Sequence, residues 1–500
     1  MVSQAALVPA LEKREDRSHL TDSRPIRWDL QAATPKADAA FDALLVDLEA
    51  WEPARERRRR KTDRTRLRTI LEALTLELWL LQAEAPTHWL AYARGGAGYM
   101  GPGRYRHPLA TQETVLTVAD FLIATGLAEN RLGSYRRVDH GFATSGRGYQ
   151  SRLRGAAALS IWAARYELTT ADLARSVHFE LIRLKGAPAS PGGRKPLVDY
   201  EDNSETRRMR AHLQAWMAMM ERHQVTLRDP AEPLAEGGED LMVPLDINED
   251  EERPQAALEA TCTLYRVFNE ERWDRGGRFY GGWWMGLPKR DRGRLLIDGE
   301  ETVELDFASL HPRLCHQLNG APLDPKDDAY DLPGVSADLR DVVKVAFMQL
   351  LNAQPAQRSI RPPAGAIERL RGRHSYRSLV TALVTKHTRI AGWFYQGVRS
   401  LELQAIDAAI AEAVLDYFTN EARRPILPVH DSFIVRRRDQ FKLAETMALA
   451  YRGQLSRREI SDPAPPIIRG WVDDDVEAQF NAFLSGWTYR GSASLGGMGS

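Results

Sequence analysis

The sequence is poor in the features that mark secreted and membrane proteins. It contains only two cysteines, Cys262 and Cys315, which excludes a disulfide framework and a four-thiolate metal site and fits a reducing compartment. No apolar run approaches the ~18 residues of a membrane-spanning helix, and no basic segment followed by an apolar core opens the chain. We therefore expect a soluble protein of the cytoplasm with no membrane partner.

The chain also lacks an excess of charge of either sign. Lys and Arg together number 68, as do Asp and Glu, so the formal net charge is zero. This balance argues against a surface coated uniformly in positive charge for nucleic acid. It still allows local basic grooves, because acidic and basic regions can be separate. With 500 residues, of which 43% are hydrophobic, the chain is long enough for two or three packed units.

Charge is distributed unevenly along the chain. Residues 55–68 carry nine Arg or Lys against two acids, which indicates either the solvated start of an amphipathic helix or a basic edge that faces phosphates. Residues 232–252 carry nine acids and no Lys or Arg, which is typical of a linker. The predicted organisation is a loose arm at 1–50, a helical region at 51–230, an acidic linker at 231–255 and a flexible Gly/Ser tail at 489–500.

Helical patterns dominate the N-terminal half. We predict helices at 70–82, at 111–125 (ended by Gly126), near 151–166, and from Ser204 to about His223 with a polar cap at 202–204. The second and third of these helices flank a Gly- and Arg-rich segment, an order that is similar to a winged-helix module. A plain helical domain is the alternative, and the residues favour it.

The C-terminal half carries acids inside a predicted strand. VELDFASL at 303–310 alternates apolar residues with Glu304 and Asp306, so both carboxylates lie on one face of the strand. Pro312 is expected to close this strand.

A second predicted strand, ILPVHDSFIV at 426–435, is interrupted by His430 and Asp431. An acid inside a buried strand is costly unless a partner or a metal compensates for it, and a single case is usually a structural hydrogen bond. Two such strands favour a site where carboxylates hold two metal ions for in-line displacement at phosphorus.

Between these strands lies the helical pattern LRDVVKVAFMQLLNA at 339–353. Arg340, Lys344, Met348 and Asn352 are spaced by four residues and therefore share one face. Two cations one turn apart, followed by an apolar side chain, suit a triphosphate with a base stacked beyond it. A surface helix whose cations face water is the alternative.

An aromatic segment, GRFYGGWW, precedes the first strand. Arg278 is adjacent to Phe279 and Tyr280 and is followed by Trp283 and Trp284. Cations combined with stacking surfaces are what contacts to single strands and duplex ends require. A glycine-rich turn that buries its aromatic side chains is an equally good interpretation, and the two are compatible.

In this order, the elements resemble the polymerase superfamily that joins family A DNA polymerases to single-subunit phage and mitochondrial RNA polymerases. Motif A of that superfamily ends in a metal-binding Asp, matched by Asp306. Motif B is a fingers helix with Arg, Lys and an aromatic residue or Met spaced by four, matched from Arg340 to Met348. Motif C is His-Asp on a palm hairpin, matched by 430–431. The resemblance covers about residues 272–436 and includes DRGGRFYGG, which is similar to the Arg-Gly-Arg-x-Tyr segment of the RNA polymerases.

The resemblance implies an α+β right-hand polymerase, with an antiparallel-sheet palm and helical fingers at residues 256–488. The N-terminal half would be mostly helical and would supply a thumb that grips the duplex. Asp306 and Asp431 would bind two Mg²⁺ ions, for which Mn²⁺ can substitute. The implied partners are template–primer nucleic acid and nucleoside triphosphates.

The resemblance also implies a role for each matched residue. Arg340 and Lys344 would hold the β- and γ-phosphates, and Lys344 would act as an acid toward pyrophosphate. Met348 would pack against the incoming base. The residues implied to contact template–primer nucleic acid are Arg278, Tyr280 and His430. Glu304 would be either a third metal-binding carboxylate or, as the residues favour, a Glu that faces solvent or supports the metal site.

The chain departs from the family pattern in ways that affect sugar choice. Asn352 and Ala353 replace the Tyr-Gly of the fingers helix, although Asn352 keeps its place on the nucleotide-facing side. His311 stands at the position that acts as a steric gate against the ribose 2′-hydroxyl, where a bulky side chain favours deoxynucleotides. Ser432, by contrast, follows the catalytic Asp, and Ser at this position is typical of the RNA polymerases, whereas many family A enzymes have Glu there.

The favoured function is a compact family A-like DNA polymerase that extends a primer 3′-hydroxyl with dNTPs by a two-metal mechanism and does not proofread. A single-subunit RNA polymerase or primase is the first alternative, supported by Ser432 and the Arg-Gly-Gly-Arg segment. A DEDD-type exonuclease built on Glu304, Asp306 and Asp431 is the second. A DNA-binding replication protein with an inactive palm is the third.

Overall fold

A computed structural model of the protein describes residues 23–26, 28, 30–53, 59–99, 103–139, 144–175, 180–188, 195–228, 262–324, 326–355, 357, 359–363, 365–397, 399–461 and 463–487. The predicted acidic linker at 231–255 and the predicted tail at 489–500 lie outside these residues. Within the described ranges, no helix combines the length and the apolar character needed to cross a membrane.

The chain divides into two compact units, Met1–Phe179 and Glu180–Ser500. Each combines helices with sheets, so the predicted α+β class is confirmed. The structure differs from the predicted region at 51–230, because residues from 180 onward group with the C-terminal unit. The reason is a strand at Ile182–Leu184 that hydrogen-bonds to a strand of that unit.

Two of the four helices of the N-terminal unit begin at side-chain caps. Thr34 accepts a hydrogen bond from the Ala37 amide, and Thr111 forms a reciprocal capping box with Thr114. The helices are α1 (Pro35–Trp51), α2 (Lys61–Glu84), α3 (Gln112–Ala124) and α4 (Ala157–Arg165), with short 3₁₀ turns at Gly96–Tyr99, Gly103–Tyr105 and Thr170–Asp172. The predicted helices at 70–82 and 111–125 are confirmed, and Gly126 ends the latter with a φ of +72°.

Three small sheets accompany these helices. The strands are β1 (Ser23–Pro25), β2 (Leu30–Ala32), β3 (Trp89–Tyr92), β4 (Ala128–Arg131), β5 (Ser134–Asp139), β6 (Thr144–Tyr149), β7 (Ser151–Gly155) and β8 (Leu173–Arg175). Four of them form a sheet in the order β1-β3-β7-β4, while β2 pairs with β8 and β5 with β6. The β5–β6 pair is antiparallel and lies within the Gly- and Arg-rich segment between the second and third predicted helices.

Two predictions for this unit were wrong. The arm at 1–50 is not loose throughout, because α1 buries an apolar stripe that includes Phe41, Leu44 and Leu48. The predicted helix near 151–166 begins only at Ala157, because the preceding residues form β7, which pairs with strands on both sides. The unit therefore combines its helices with small sheets.

Three of the described cations of the basic segment at 55–68 are paired with acids of α1 and its C-terminal end. The pairs are Arg59–Glu52 at 2.5 Å, Arg64–Glu49 at 2.8 Å and Arg68–Asp42 at 2.8 Å. These ion pairs favour the interpretation of a charged helix start, which packs beside α1, over a basic edge that faces phosphates.

The C-terminal unit contains more elements. Its helices are α5 (Ser204–Met220), α6 (Lys289–Arg292), α7 (Leu310–Leu318), α8 (Arg340–Asn352), α9 (Ala366–Leu370), α10 (Tyr376–Lys386), α11 (Arg399–Asp416), α12 (Gln440–Ser456) and α13 (Asp474–Trp487). Its strands are β9 (Ile182–Leu184), β10 (Val225–Leu227), β11 (Tyr265–Asn269), β12 (Arg272–Tyr280), β13 (Leu295–Ile297), β14 (Glu300–Phe307), β15 (Leu427–Val429), β16 (Ser432–Arg436) and β17 (Ile468–Arg469). Short 3₁₀ turns lie at Trp283–Gly286, Ala337–Leu339, Thr388–Trp393 and Arg437–Asp439, and a π-helix at Tyr417–Ala422 follows α11. The predicted cap of α5 is Asn203, which accepts a hydrogen bond from the Thr206 amide.

The main sheet of this unit is antiparallel and has the order β10-β13-β14-β16-β15, with β17 paired to the end of β14. Apolar side chains on alternate positions of β14, namely Val303, Leu305 and Phe307, are buried. A second sheet has the order β12-β11-β9. This unit thus contains an antiparallel sheet that includes the strand of Asp306, while the right-hand polymerase architecture that the resemblance implies stays a prediction.

Two tryptophans fix β15 beside β16. Trp284 Nε1 donates to the Pro428 carbonyl at 2.8 Å, and Trp216 Nε1 donates to the Ile426 carbonyl at 3.0 Å. Both indoles are buried, so each satisfies its only donor while it fills the core. The strand that leads into His430 is therefore held by side chains as well as by the sheet.

The local structure corrects two details of the sequence interpretation. Pro312 does not end β14, which stops at Phe307, but lies in the first turn of α7. A proline is tolerated there because the first amides of a helix have no intrahelical acceptor. The segment at 426–435 is not one strand but two, β15 and β16, joined at His430 and Asp431. This is the hairpin that the resemblance implies.

Candidate active site

The register of the central sheet brings the two predicted metal-binding carboxylates together. Asp306 pairs with Ser432 across β14 and β16. Asp431 is the residue immediately before Ser432 and lies in the two-residue turn between Val429 and Ser432. His430 takes the left-handed conformation there, with φ at +56°. The turn therefore places Asp431 at the end of β14 that carries Asp306.

The position of Asp306 is electrostatically unfavourable for a charged carboxylate. Its Oδ1 is enclosed and has no hydrogen-bond partner among the described residues. Burial and the neighbouring Asp431 carboxylate raise the pKa of Asp306 well above its ordinary value, although Lys344 and Lys289 oppose that rise. An enclosed oxygen without a donor beside a second carboxylate is what a bound cation would stabilise.

Glu304 lies on the same face of β14 but is already occupied. Its two oxygens accept hydrogen bonds from Arg292, at 2.8 and 3.0 Å, and Ser432 Oγ donates to Oε1 at 2.7 Å. Burial alone would raise the pKa of Glu304, but Arg292 and Ser432 lower it below its ordinary value. Of the two sequence-based roles, this geometry favours a supporting carboxylate that fixes Ser432 over a third open metal ligand.

Helix α8 presents the predicted four-residue series along one half-exposed face. Arg340, Lys344, Met348 and Asn352 are all half-buried. The opposite side of the helix packs into the core through side chains that include Val343, Phe347 and Leu350. The shared face is therefore confirmed. Asn352 Nδ2 donates to the Met348 carbonyl at 3.0 Å, so its amide is partly used by its own helix.

The two cations of α8 are coupled to Asp306. Lys344 interacts electrostatically with the Asp306 carboxylate, and it forms no hydrogen bond or ion pair with the residues that the structure describes. Arg340 binds Asp328 through two hydrogen bonds, and this pairing, together with Asp306, raises the pKa of its guanidinium. The structure thus places Asp306, Asp431 and the α8 cations in one neighbourhood.

His311 and Arg278 are both committed to Asp407, a residue that the sequence patterns did not single out. Arg278 Nη2 lies 2.6 Å from Asp407 Oδ2, and His311 Nε2 lies 2.9 Å from the same oxygen. Burial would raise the pKa of Asp407, but Arg278 and His311 lower it. His311 is 6% exposed, so this network fixes the orientation of its ring. The predicted contacts of His311 with a sugar and of Arg278 with a duplex stay predictions.

Tyr280 and His430 lie next to each other, as the resemblance expects of residues near a primer end. Their rings meet edge to face, with centroids 6.0 Å apart, and Tyr280 also stacks on Tyr265 across β11 and β12. All three residues are half-buried, whereas Trp283 and Trp284 are buried. The aromatic segment therefore combines both sequence interpretations: its tryptophans fill the core, and its tyrosine remains accessible.

A buried histidine pair supports the inner side of α8. His387 Nδ1 lies 2.9 Å from His316 Nε2, and its Nε2 lies 2.8 Å from the Ala329 carbonyl. Phe347 of α8 packs against the His387 ring with centroids 5.2 Å apart. Burial lowers the pKa of His387 to about 4. The pair is therefore expected to be uncharged at neutral pH.

This lowered pKa predicts a loss of stability in mild acid. Between pH 6.5 and about 4, the unfolded state binds a proton at His387 and the folded state does not. The free energy of unfolding therefore falls as the pH falls through this window. The expected loss is up to about 3 kcal/mol. Urea unfolding measured from pH 7.5 to 4.5 tests this, and His387→Gln should flatten the pH dependence even if it lowers stability at pH 7.5. An equal slope in both proteins would contradict the assignment.

Several residues of this site could not be found from local patterns. Asp328, Asp407 and Arg469 were not predicted, and Asp407 and Arg469 contact residues far away in the chain, Arg278 and Asp328. The only local signal was the position of Asp407 within the buried face of α11. An acid among buried apolar residues requires a partner, which here is Arg278.

The donor set at Asp306 and Asp431 fits a divalent cation. Oxygen ligands are those that Mg²⁺ and Mn²⁺ prefer, and the unpartnered Oδ1 of Asp306 is available. Within the described residues, no group of three or more His, Cys, Asp or Glu side chains is arranged to hold a metal. The candidate centre therefore consists of two carboxylates, with Glu304 tied to Arg292. The chain matches no protein-family model, and it matches none of the curated proteins in sequence.

Proposed function

We propose that the protein is a template-directed nucleotidyltransferase, a compact DNA polymerase of the family A type that extends a primer 3′-hydroxyl with dNTPs. The observation that carries the proposal is the enclosed oxygen of Asp306, which has no hydrogen-bond partner among the described residues and lies beside Asp431. The Asp306 carboxylate also interacts electrostatically with Lys344 and Arg340 on the half-exposed face of α8. Two carboxylates that repel one another are destabilising unless a cation joins them. Neighbouring cations on a helix suit the phosphates of a nucleotide.

Each residue of the candidate site would have a separate role in nucleotide transfer. Asp306 and Asp431 would hold the Mg²⁺ ions, which when bound stabilise charge on the attacking and leaving oxygens. Lys344, an ammonium without a protein partner in the described part of the chain, would bind the leaving phosphates and donate a proton to pyrophosphate. Met348 would pack against the incoming base. These roles are positioning and charge neutralisation, which dominate phosphoryl transfer.

The choice of dNTPs over NTPs is supported by the fixed ring of His311. Asp407 and Arg278 hold this imidazole in one orientation, and a side chain that cannot move aside is a better steric gate than a free one. His430 and Tyr280 would contact the primer end, since their rings lie together beside Asp431. We place the activity in the cytoplasm, because both cysteines are free thiols.

Primer extension tests the proposal directly. The full-length protein is incubated with Mg²⁺ and a labelled primer, with dNTPs or NTPs, on DNA and on RNA templates, and without a primer. We expect template-dependent extension with dNTPs, which Asp431→Asn abolishes. Extension with NTPs alone would favour the RNA polymerase or primase, and shortening of the primer would favour an exonuclease. Binding without turnover under every condition would refute an active polymerase.

Replacement of Lys344 separates a catalytic cation from a solvated one. Lys344→Ala is expected to lower the maximal rate of incorporation by roughly tenfold or more, because a general acid and a phosphate ligand are lost. The affinity for template–primer should change little. Rapid-quench kinetics measure the first quantity, and fluorescence anisotropy measures the second.

Arg377→Ala is the matched control for this change. Arg377 is an exposed cation on α10 rather than on the α8 face. It should leave both quantities unaltered. If Lys344→Ala weakened template binding without slowing incorporation, the helix face would be a solvated surface instead of a nucleotide site.

A further inference from the structure

Asp328 lies between two cations next to the candidate catalytic carboxylates. Its carboxylate accepts hydrogen bonds from Arg340, from Nε at 2.6 Å and from Nη2 at 3.1 Å. Arg469 Nη2 lies 4.0 Å from Oδ2, and Ser309 Oγ lies 3.5 Å from Oδ1. One anion is thus surrounded by two guanidinium groups and a hydroxyl. This is the set of donors that recognises phosphate oxygens.

Arg469 belongs to this site by its position in the sheet. It pairs directly with Asp306 across β14 and β17, and directly opposite residues of an antiparallel pair project from the same face. Its side chain is 52% exposed, so it is accessible to a ligand in solution. Arg340 interacts electrostatically with the same Asp306. Two cations therefore flank Asp306, one from β17 and one from α8, and Asp328 lies between them.

The backbone on either side of Asp328 is held in place by side-chain hydrogen bonds. Lys386 Nζ donates to the carbonyl oxygens of Asp328 and Asp331, each at 2.7 Å. The neighbouring Ala329 carbonyl accepts a hydrogen bond from His387 Nε2 at 2.8 Å. A rotation of the Asp328 side chain, which is 24% exposed, would break the hydrogen bond that the Tyr330 amide donates to Oδ1 at 3.1 Å. It would release Arg340 and Arg469 while the contacts of Lys386 and His387 with the backbone stay in place.

We infer that Arg469 is a phosphate-binding residue of the nucleotide site, and that the Asp328 carboxylate occupies a position that a phosphate of the incoming nucleotide takes over. The inference rests on the proposed function. With no nucleotide bound, Asp328 pairs the cations and keeps them oriented. When a triphosphate approaches, the same carboxylate competes with it, because like charges repel across so short a distance. Asp328 therefore raises the nucleotide concentration that the enzyme requires, and only a ligand with several negative charges displaces it.

Binding of inorganic tripolyphosphate to the full-length protein in EDTA tests this without a metal, a template or turnover. Asp328→Asn, which removes the charge and keeps the shape, is expected to bind tripolyphosphate roughly fivefold more tightly than the wild type. Arg469→Gln is expected to bind it several-fold more weakly. Arg437→Gln is the matched control, since Arg437 is also an exposed cation of this unit but pairs with Asp473. Its affinity should equal that of the wild type.

The outcomes discriminate between the inference and the function on which it rests. Unchanged or weaker binding by Asp328→Asn would overturn the competition and make Asp328 a residue that positions Arg340. Unchanged binding by Arg469→Gln would remove Arg469 from the site. If Asp328→Asn does not fold, Asp328→Ala carries the same expectation. Primer extension by the wild type, measured on the same preparation, reports separately on the proposed function, because its absence refutes the polymerase. The tripolyphosphate affinities of Asp328→Asn and Arg469→Gln decide the anion site in either case.

Discussion

Replacement of Asp306 by asparagine is expected to abolish nucleotide transfer and, in the same protein, to raise the melting temperature measured in EDTA. The first effect follows from loss of a metal-binding carboxylate, and we expect extension to fall by about a hundredfold or more. The second follows from the enclosed position of Asp306, where burial and Asp431 raise the pKa well above the ordinary value. A neutral amide of the same shape does not repel Asp431, so the gain is roughly 1–2 kcal/mol, or a few degrees.

The gain in stability should depend on pH and on metal in a defined direction. The unfolded carboxyl ionises near pH 3.8, whereas the folded one keeps its proton to higher pH. Wild-type stability is therefore lost as pH rises through the interval between the two pKa values, and the advantage of Asp306→Asn grows over that interval. Mg²⁺ should stabilise the wild type and have little effect on the variant. Differential scanning calorimetry between pH 5 and 9, with EDTA or Mg²⁺, measures both dependences.

Asp439→Asn provides the contrast. Asp439 is a buried carboxylate as well, but it has two cationic partners, Arg424 at 2.5 Å and Arg436 at 3.1 Å. Loss of its charge removes the acid that pairs with Arg424 and one of the acids that pair with Arg436, so this variant should melt at a lower temperature. If Asp306→Asn also lowered the melting temperature in EDTA at alkaline pH, Asp306 would be a structurally satisfied residue, and the metal assignment would fail.

The sequence predicts those parts of the candidate site that depend on local periodicity. Side chains alternate along β14, so the spacing of Glu304 and Asp306 is enough to place them on one face. The four-residue spacing from Arg340 to Asn352 likewise places four side chains on one face of α8. In both cases a single element decides the geometry, and its period can be read directly from the residues.

The partners of these residues could not be predicted in the same way. Arg278 and Asp407 are separated by 129 positions in the chain, and nothing near either residue identifies the other. Arg469 meets Asp306 only because β17 returns to the end of β14. The error at β7 has a related cause, since its neighbours β3 and β4 supply the hydrogen bonds that make those five residues a strand. Pairing between distant segments is a tertiary property, and it overrides a weak local preference.

Gly470→Ala is expected to cause the largest loss of stability among single methyl additions in this unit. Gly470 has φ at +99°, and a Cβ built there would lie 2.0 Å from the Glu304 carbonyl oxygen. That oxygen belongs to β14 in the middle of the sheet, so it cannot move aside as a flexible side chain would. The end of β17 would have to separate from β14. We expect a cost of about 3–5 kcal/mol from the clash and the unfavourable backbone conformation together.

Gly299→Ala separates these two contributions. Gly299 also has a positive φ, at +76°, but no atom lies within 4 Å of the position that a Cβ would take. Its replacement should cost only about 1 kcal/mol, the penalty for placing alanine in a left-handed conformation. Urea unfolding measures the free energy of unfolding of both variants, and the difference between their losses is the contribution of the steric clash. Because Arg469 precedes Gly470 and pairs with Asp306, the Gly470 variant should also bind tripolyphosphate more weakly, whereas the Gly299 variant should bind it normally. Equal losses of stability in the two variants would mean that β17 does not pack against β14 as closely as these distances require.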